Sequence, residues 1–451
     1  MTRPNILYLH SHDTGRHIAP YGAGVRSPNL QRLAEQGVTF RRAFSAAPTC
    51  SPSRASLLTG QWPHRTGMLG LAHRGFALTH PERHLATTLR DAGYDTVLAG
   101  VQHVTQGDPR ELGYTTVHPA GPRRTEATVA AAVDTIRHAA SHPDQPFFLD
   151  AGFSETHRPF PAAPADAGRW LAPPPSLPDT EAIRDDMADF QASLTILDDA
   201  YGAILYALDE TGLASNTLVI ATTDHGIAFP WAKCTLTDRG TGVLLILRGP
   251  QGIAGGRVLD ALVSQVDLYP TLCEAAGIAA PHWLAGHSLL PLLRGEIESV
   301  RDELFGEVTY HAAYEPQRLL RTDRWALIRR YGDRRTPVLP NLDDSPSRDV
   351  VMEAGYAEVE LPDIALYDTI LDPQQRVNLA DCRAHRDIRD DLMARLEAWM
   401  EETGDPLRHG DVPLPPGGRV NDPDSRTFSE GLLEAGADRA IRRIENPGTI
   451  Q

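Results

Sequence analysis

Cysteine is scarce in this chain, with four among 451 residues. Cys50, Cys234, Cys273 and Cys382 lie far apart and fit neither a disulfide-dense scaffold nor the paired spacing of a zinc site. Thiols kept reduced in a cytosol are the plain reading. Long apolar runs are missing as well. No stretch approaches the ~20 apolar residues of a membrane-spanning helix. The opening MTRPNILYLHSHD holds only a short, strand-like apolar run and no cleavage site of small residues. A soluble, cytoplasmic protein with no membrane partner is expected. Basic charge is in deficit: 43 Lys and Arg stand against 59 Asp and Glu, a net charge of −16. That excludes nucleic acid as a general partner, because phosphate binding needs a basic face. A small anion held in a locally positive pocket stays open.

With 41% of its residues hydrophobic, the chain can bury a large core. Its first two thirds alternate short apolar runs with helical patterns, the signal for a mostly parallel sheet. NILYL from Asn5, DTVLA from Asp95, FFLDAGF from Phe147, TLVIAT from Thr217 and VLLIL from Val243 read as strands. Leu194, Leu197, Tyr201, Ile204, Leu205 and Leu208 recur at helical spacing and predict a helix packed on that sheet. Ser27 followed by Pro28 opens another. Beyond about residue 295 the pattern changes. GEVTYHA, LLRTDRWALIRR from Leu319 and ALYD from Ala365 read as strands of a small antiparallel sheet, and the stretch from Asp387 to Glu401 as a helix. The predicted class is α/β: a large, mostly parallel sheet flanked by helices, with a smaller C-terminal antiparallel-sheet domain. The expected divisions are 1–295, 296–404 and a Pro/Gly-rich tail, 405–451, that wraps the surface or frays. Polar clusters follow four strand ends: HSHDTG, VQH, SETHRPF and TDHG. Ligands of open α/β sheets bind beyond the carboxyl ends of strands. Four such ends bearing His or Asp predict one shared site.

PTCSPSRASLLTG, from Pro48 to Gly60, places a cysteine in a tight polar turn before a helical run. A free cysteine is most often a small buried hydrophobe. Here Pro48 and Pro52 break regular structure, Ser53 is placed to cap a helix beginning near Arg54, and Arg54 adds a permanent cation. A helix N-terminus beside a guanidinium suits an activated nucleophile and an anionic substrate.

CSPSRASLLTG resembles the signature of the type I sulfatases, members of the alkaline-phosphatase-like superfamily. RPNILYLHSHD, TTDHG, VSQVDLYPTLCEAAG, HSLLPLLRG and ALYDTILDPQQRVNLA resemble further segments of that family, so the likeness spans roughly residues 3 to 400. The resemblance implies that Cys50 is oxidised to Cα-formylglycine by a separate formylglycine-generating enzyme, a partner in maturation. The hydrated aldehyde carries two hydroxyls on one carbon. One attacks sulfur, and the other then expels sulfate, so covalent catalysis is split into two easier steps. A divalent metal is also implied, with Asp224 and His225 matching the later metal pair and Asp13 the second residue of the first pair. His12 replaces the family's first aspartate. Cys50, once modified, completes the set His12, Asp13, Cys50, Asp224 and His225. Ca²⁺ is the first expectation, and the imidazole brings Mn²⁺ or Zn²⁺ into range. Arg54 is expected to anchor the modified side chain and offset anionic charge. His103 resembles the histidine of a Gly-Lys-x-His segment whose lysine is Val101 here. His157 resembles the family's second active-site histidine, a general acid toward the leaving group, and Lys233 its late lysine on the sulfate. Arg16 and His17 are weighed as replacements for the missing lysine. Tyr310, His311 and Arg321 are weighed as walls of a sugar pocket.

Within the family the chain most resembles the heparan N-sulfatases (sulfamidases), through GMLGL after the signature, DHGIAFP, FGEVTYH and LEAWMEETGDP. That implies a small sulfated sugar as substrate, with N–S cleavage. Cleavage of an aryl or carbohydrate O-sulfate is the next reading. A phosphonate or phosphodiester hydrolase of the same superfamily, and a non-catalytic binder of sulfated ligands, are the other classes. A homo-oligomer stays open.

Overall fold

The computed structural model describes residues 3–119, 124–250, 252–436 and 441–444. In chain order the strands of the large part are β1 (Asn5–Ser11), β2 (Val38–Phe40), β3 (Ala43–Phe44), β4 (Asp95–Gly100), β5 (Thr116–Pro119), β6 (Phe147–Gly152), β7 (Thr217–Thr223), β8 (Leu245–Arg248), β9 (Arg257–Leu259) and β10 (Val263–Ser264). Eight of them form one sheet in the order β5-β4-β6-β1-β7-β8-β2-β9. From β5 to β7 every pairing is parallel, and β8 runs antiparallel to both its neighbours. The strands are short apolar runs because both faces are covered. Side chains alternate between the faces. Ile6 and Tyr8 join one core cluster with Phe148, Leu218 and Ile220, and Leu7 and Leu9 join the other with Leu149, Val219 and Ala221.

The helix Glu181–Glu210 covers the second face with Ile183, Met187, Phe190, Leu194, Leu197, Tyr201, Ile204, Leu205 and Leu208. Thr180 caps it, its hydroxyl accepting from the Ile183 amide at 3.4 Å. The helix Cys50–Thr59 lies in the first cluster through Ala55, Leu57 and Leu58. It starts at Cys50, four residues before the expected start. Its N-cap is Thr49, in extended conformation, and Ser53 caps nothing. The Ser53 hydroxyl instead donates to the Asp224 carbonyl at 2.5 Å, tying this helix to the end of β7.

The second sheet, β11 (Glu303–Tyr310), β12 (Tyr314–Thr322), β13 (Trp325–Arg330) and β14 (Ile364–Asp368), is antiparallel throughout. The stretch LLRTDRWALIRR is therefore a tight hairpin and not one strand: Asp323 and Arg324 turn between β12 and β13, and the Trp325 amide donates to the Thr322 hydroxyl at 3.0 Å. The helix Arg386–Thr403 packs on this sheet. Downstream, β15 (Arg419–Asn421), β16 (Leu432–Ala435) and β17 (Ile441–Arg443) form a three-stranded sheet, and β3 pairs with β10 in a two-stranded one. The described part of the tail is pinned to the body. Asp405 is fully buried and accepts from Arg318 at 2.9 Å, Tyr310 donates to the Val412 carbonyl at 2.5 Å, and the Asn421 amide donates to the Ala312 carbonyl at 2.7 Å.

Candidate active site

Four strand ends converge as the polar clusters implied. His12 and Asp13 follow β1, His103 follows β4, His157 follows β6, and Asp224 and His225 follow β7. Asp13 sits in left-handed conformation, φ 51°, which an aspartate tolerates at a turn. Its amide donates to Asp224 Oδ1 at 2.8 Å, so the backbone itself joins the two strand ends. The Asp-His-Gly turn needs its glycine. A Cβ at Gly226 would lie 1.9 Å from the Arg239 carbonyl oxygen.

Cys50 opens its helix in the middle of this cluster. Its Sγ is 3.3 Å from His225 Nε2 and 4.0 Å from Asp13 Oδ1. Burial pushes the thiol well above its ordinary pKa, and Asp13 and Asp224 add to this against Lys233 and Arg54. Unmodified, the side chain is therefore a neutral thiol and a poor nucleophile. Donor atoms of His12, Asp13, Cys50 and Asp224 lie within 4.8 Å of one another, and all four residues are buried. His12 Nδ1 is 3.2 Å from Asp224 Oδ2 but makes no hydrogen bond, leaving a buried polar atom without a partner. Burial, then the Arg54 charge, pulls the His12 pKa well down, so the ring is a neutral lone-pair donor. His225 Nδ1 donates to the Gly226 carbonyl at 3.0 Å, which leaves Nε2 facing Asp13 Oδ1 at 3.2 Å. Two acceptors so close call for a shared cation. The donor set fits a divalent metal bound by carboxylate and imidazole. Against its burial, the Arg54 guanidinium, 3.1 Å away, holds the Asp224 carboxyl below the usual range.

Arg54 is fixed from behind. It donates to the Ser11 carbonyl at 2.7 Å, to Asp224 Oδ2 at 3.1 Å and to His10 Nδ1. His10 Nε2 in turn donates to Asp150 Oδ1 at 2.7 Å. Burial keeps His10 neutral despite that carboxylate. Neither His10 nor Asp150 was expected at the site. The signal was present: a carboxylate or imidazole inside a fully buried strand must find a partner.

Lys233 Nζ bridges Asp13 Oδ2 at 2.9 Å and Asp343 Oδ2 at 3.1 Å. Against desolvation, these two carboxylates raise its pKa well above the ordinary value. Asp343 was also not foreseen, and no local pattern marks it. His157 is the most open of these groups, with 39% of its side chain exposed. Its Nδ1 donates to the Arg158 carbonyl at 2.5 Å, and its Nε2 lies 3.9 Å from Asp13 Oδ2. His103, with φ 58°, places its ring 5.4 Å from that of His12 and stacks on His73 at 5.6 Å. Burial, then Arg54, lowers its pKa to about 3, and its Nδ1 has no partner.

Of the residues weighed for the substrate pocket, only His311 comes to this cluster; Lys233, Asp343 and His225 all act on its charge. Arg16 points away. It donates to the Ala43 carbonyl at 2.7 Å and stacks 4.4 Å over Phe44. His17 packs edge-on against Phe190, and desolvation lowers its pKa to about 4. Tyr310 is buried between Phe76 and Tyr314. Arg321 is paired with Asp238 at 3.1 Å. These four are engaged elsewhere in the frame, Arg16 and His17 against aromatic rings, Tyr310 between two rings and Arg321 by its ion pair.

The comparisons with known proteins follow the same line. The family described as Sulfatase matches residues 4–278, and the one described as N-sulphoglucosamine sulphohydrolase, C-terminal, matches residues 230–361. The chain is 29% identical to human (Homo sapiens) N-sulphoglucosamine sulphohydrolase, over 89% of this chain and 91% of that protein. It is 27% identical to a ulvan-active sulfatase of Formosa agariphila, over 92% of this chain and 83% of that one. Among solved structures, a 2-O GAG sulfatase superposes with a TM-score of 0.71 at 22% identity, covering 90% of this chain and 94% of that one. A structure solved with its substrate D-glucosamine-2-N,6-O-disulfate superposes with a TM-score of 0.69 at 18% identity, covering 90% and 99%. The two structures share the fold; the match over residues 4–278 carries the assignment, and the chain belongs to the sulfatase family, hydrolases of sulfate esters and sulfamates.

Proposed function

We propose that this protein removes sulfate from a small sulfated sugar, with N-sulfoglucosamine as the best candidate, after Cys50 has been converted to Cα-formylglycine by a formylglycine-generating enzyme. The observation that carries the reading is the placement of Cys50. It opens its helix between two carboxylates, two imidazoles and the cations of Arg54 and Lys233. As a thiol it is neutral and buried, so the position makes chemical sense once modified. The hydrated aldehyde would supply two hydroxyls on one carbon, one to attack sulfur and one to release sulfate.

The chain's own residues divide the remaining work. Arg54, locked by His10 and Asp224, anchors the modified side chain and offsets the charge of the sulfate. Lys233 holds a second positive charge beside Asp13. His157, aimed by the Arg158 carbonyl and open to solvent, is the general acid that delivers a proton to the departing oxygen or nitrogen. His12, Asp13, Asp224 and His225 would hold the divalent cation, whose Lewis acidity would polarise the sulfate. With two imidazoles beside two carboxylates, Mn²⁺ or Zn²⁺ suits this set alongside Ca²⁺.

Val101, where the family carries lysine, takes one cation from the pocket, which disfavours a doubly charged phosphate monoester; a phosphodiester carries the same single charge as a sulfate ester, so assay decides between those two. Two measurements test the proposal. Mass spectrometry of the tryptic peptide Ala43–Arg54 from the native host is expected to show formylglycine at Cys50. Parallel assays on matched sulfate and phosphate esters are expected to favour sulfate. Unmodified Cys50 throughout, or higher efficiency on the phosphodiester, sinks the reading.

A further inference from the structure

We propose that Asp343 and His311 form a binding subsite for the hydroxyl groups of the leaving sugar, and so select hydroxylated over plain aryl leaving groups; this rests on the sulfatase reading of Cys50. Both residues come from outside the large sheet. His311 follows β11, and Asp343 follows the short turn Leu339–Asn341 beyond β13.

Three observations carry the inference. First, Lys233 already bonds Asp13 at 2.9 Å, so its charge is matched without Asp343. The second carboxylate, 3.1 Å from Lys233, adds negative charge at the same ammonium. Beside a site for an anion this is costly, unless it has a ligand of its own. Second, the Asp343 side chain is 25% exposed, and Lys233 is its one ion-pair partner among the described residues. Its carboxylate stays ionised, held low by the Lys233 ammonium against its burial. Third, His311 is 4% exposed, yet its Nδ1 has no hydrogen-bond partner. Burial and the Lys233 charge keep this ring neutral, so it can donate one hydrogen bond and accept another. An anionic acceptor beside an unpartnered neutral imidazole suits neighbouring hydroxyls. The same carboxylate repels the sulfate, which directs that end toward Arg54 and Lys233 and the sugar end toward Asp343.

The test compares wild type, Asp343→Asn, Asp343→Glu and His311→Phe in the metal-loaded, formylglycine-bearing enzyme. The substrates are N-sulfoglucosamine and p-nitrophenyl sulfate. Asp343→Asn is expected to cut kcat/KM for the sugar by ~10–100-fold, mostly through KM, the loss of a hydrogen bond to a charged group. The loss on p-nitrophenyl sulfate, which reports only the change at Lys233 with its Asp13 partner at 2.9 Å still in place, should be several-fold smaller than the loss on the sugar. His311→Phe should show the same split more weakly, and Asp343→Glu should recover part of the loss. Equal losses on both substrates, or no loss on either, overturn the subsite. Calorimetric binding of N-sulfoglucosamine to Cys50→Ala, with and without Asp343→Asn, separates the two proposals. Wild-type enzyme that turns over neither substrate, while Asp343→Asn still weakens sugar binding, sinks the hydrolase reading and supports the subsite. Binding unchanged by Asp343→Asn overturns the subsite.

Discussion

At the scale of single residues, the site is a set of charges placed so that each one fixes the next. Asp150 orients His10, His10 orients Arg54, and Arg54 reaches Asp224. Asp224 takes the Asp13 amide, and Asp13 holds Lys233. His12 is the departure that decides most. An imidazole in place of a carboxylate lowers the negative charge available to a hard cation. His12→Asp is expected to shift metal preference toward Ca²⁺ and away from Zn²⁺, read by metal titration against thermal stability. His157 carries a second prediction. If it protonates the leaving group, His157→Gln should lower kcat on N-sulfoglucosamine by ~10²–10⁴-fold. On p-nitrophenyl sulfate, whose phenolate departs without a proton, the loss should be much smaller. Equal losses on both would assign His157 to binding instead.

At the scale of elements, the site depends on pieces far apart in the chain meeting at one edge. The helix Cys50–Thr59 is held to β7 by Ser53, and the loop after β6 is docked on His12 by two backbone hydrogen bonds, 2.9 and 2.7 Å long. The small sheet is tied to both neighbours through Arg318. That side chain is fully buried, 3.2 Å from Glu307 and 2.9 Å from Asp405, and Glu307 also meets His64 at 2.8 Å. The pair stabilises less than its geometry suggests, since both charges are taken out of water. Breaking it is another matter, because Arg318 would keep its charge with one partner fewer. Asp405→Asn is expected to cost ~3 kcal/mol in urea unfolding. A change below about 0.5 kcal/mol, the size of a surface effect, would show that Glu307 alone satisfies the guanidinium.

At the scale of the whole molecule, several histidines are buried as neutral rings, and folding stability must depend on pH accordingly. His84 is fully buried and caps the helix Leu85–Asp91, its Nδ1 accepting from the Ala86 amide at 3.2 Å. Burial lowers its pKa from 6.5 to about 4. Between these values the unfolded chain binds a proton that the folded chain refuses, so stability falls as pH drops from 6.5 toward 4 and is flat above. His84→Asn keeps a capping acceptor and removes the titration. It is expected to reduce the slope of melting temperature against pH in that window and leave the value near pH 8 almost unchanged. An unaltered slope would assign the pH dependence to the other buried imidazoles. Among the described residues no helix is long and apolar enough to cross a membrane.

The amino-acid sequence by itself determined five of the eight strands of the large sheet (the short strands β2, β5 and β9 were not legible), the long helix across it and the strand ends that carry His12, Asp13, His103, His157, Asp224 and His225. These follow from local periodicity and from punctuation by Gly and Pro, which act over a few residues. CSPSRASLLTG was legible for the same reason, as one contiguous stretch. Tertiary structure alone decided which polar groups face the site. Arg16 and His17 follow Asp13 by three and four residues and were plausible by proximity, yet Phe44 and Phe190 take them away. Asp343 lies 110 residues from Lys233 in sequence and 3.1 Å from it in space. No short-range pattern encodes such a pairing, because it depends on how one sheet packs on another. The start of the helix at Cys50 was set in the same way: Ser53, free to cap in the local sequence, is taken by the Asp224 carbonyl from β7.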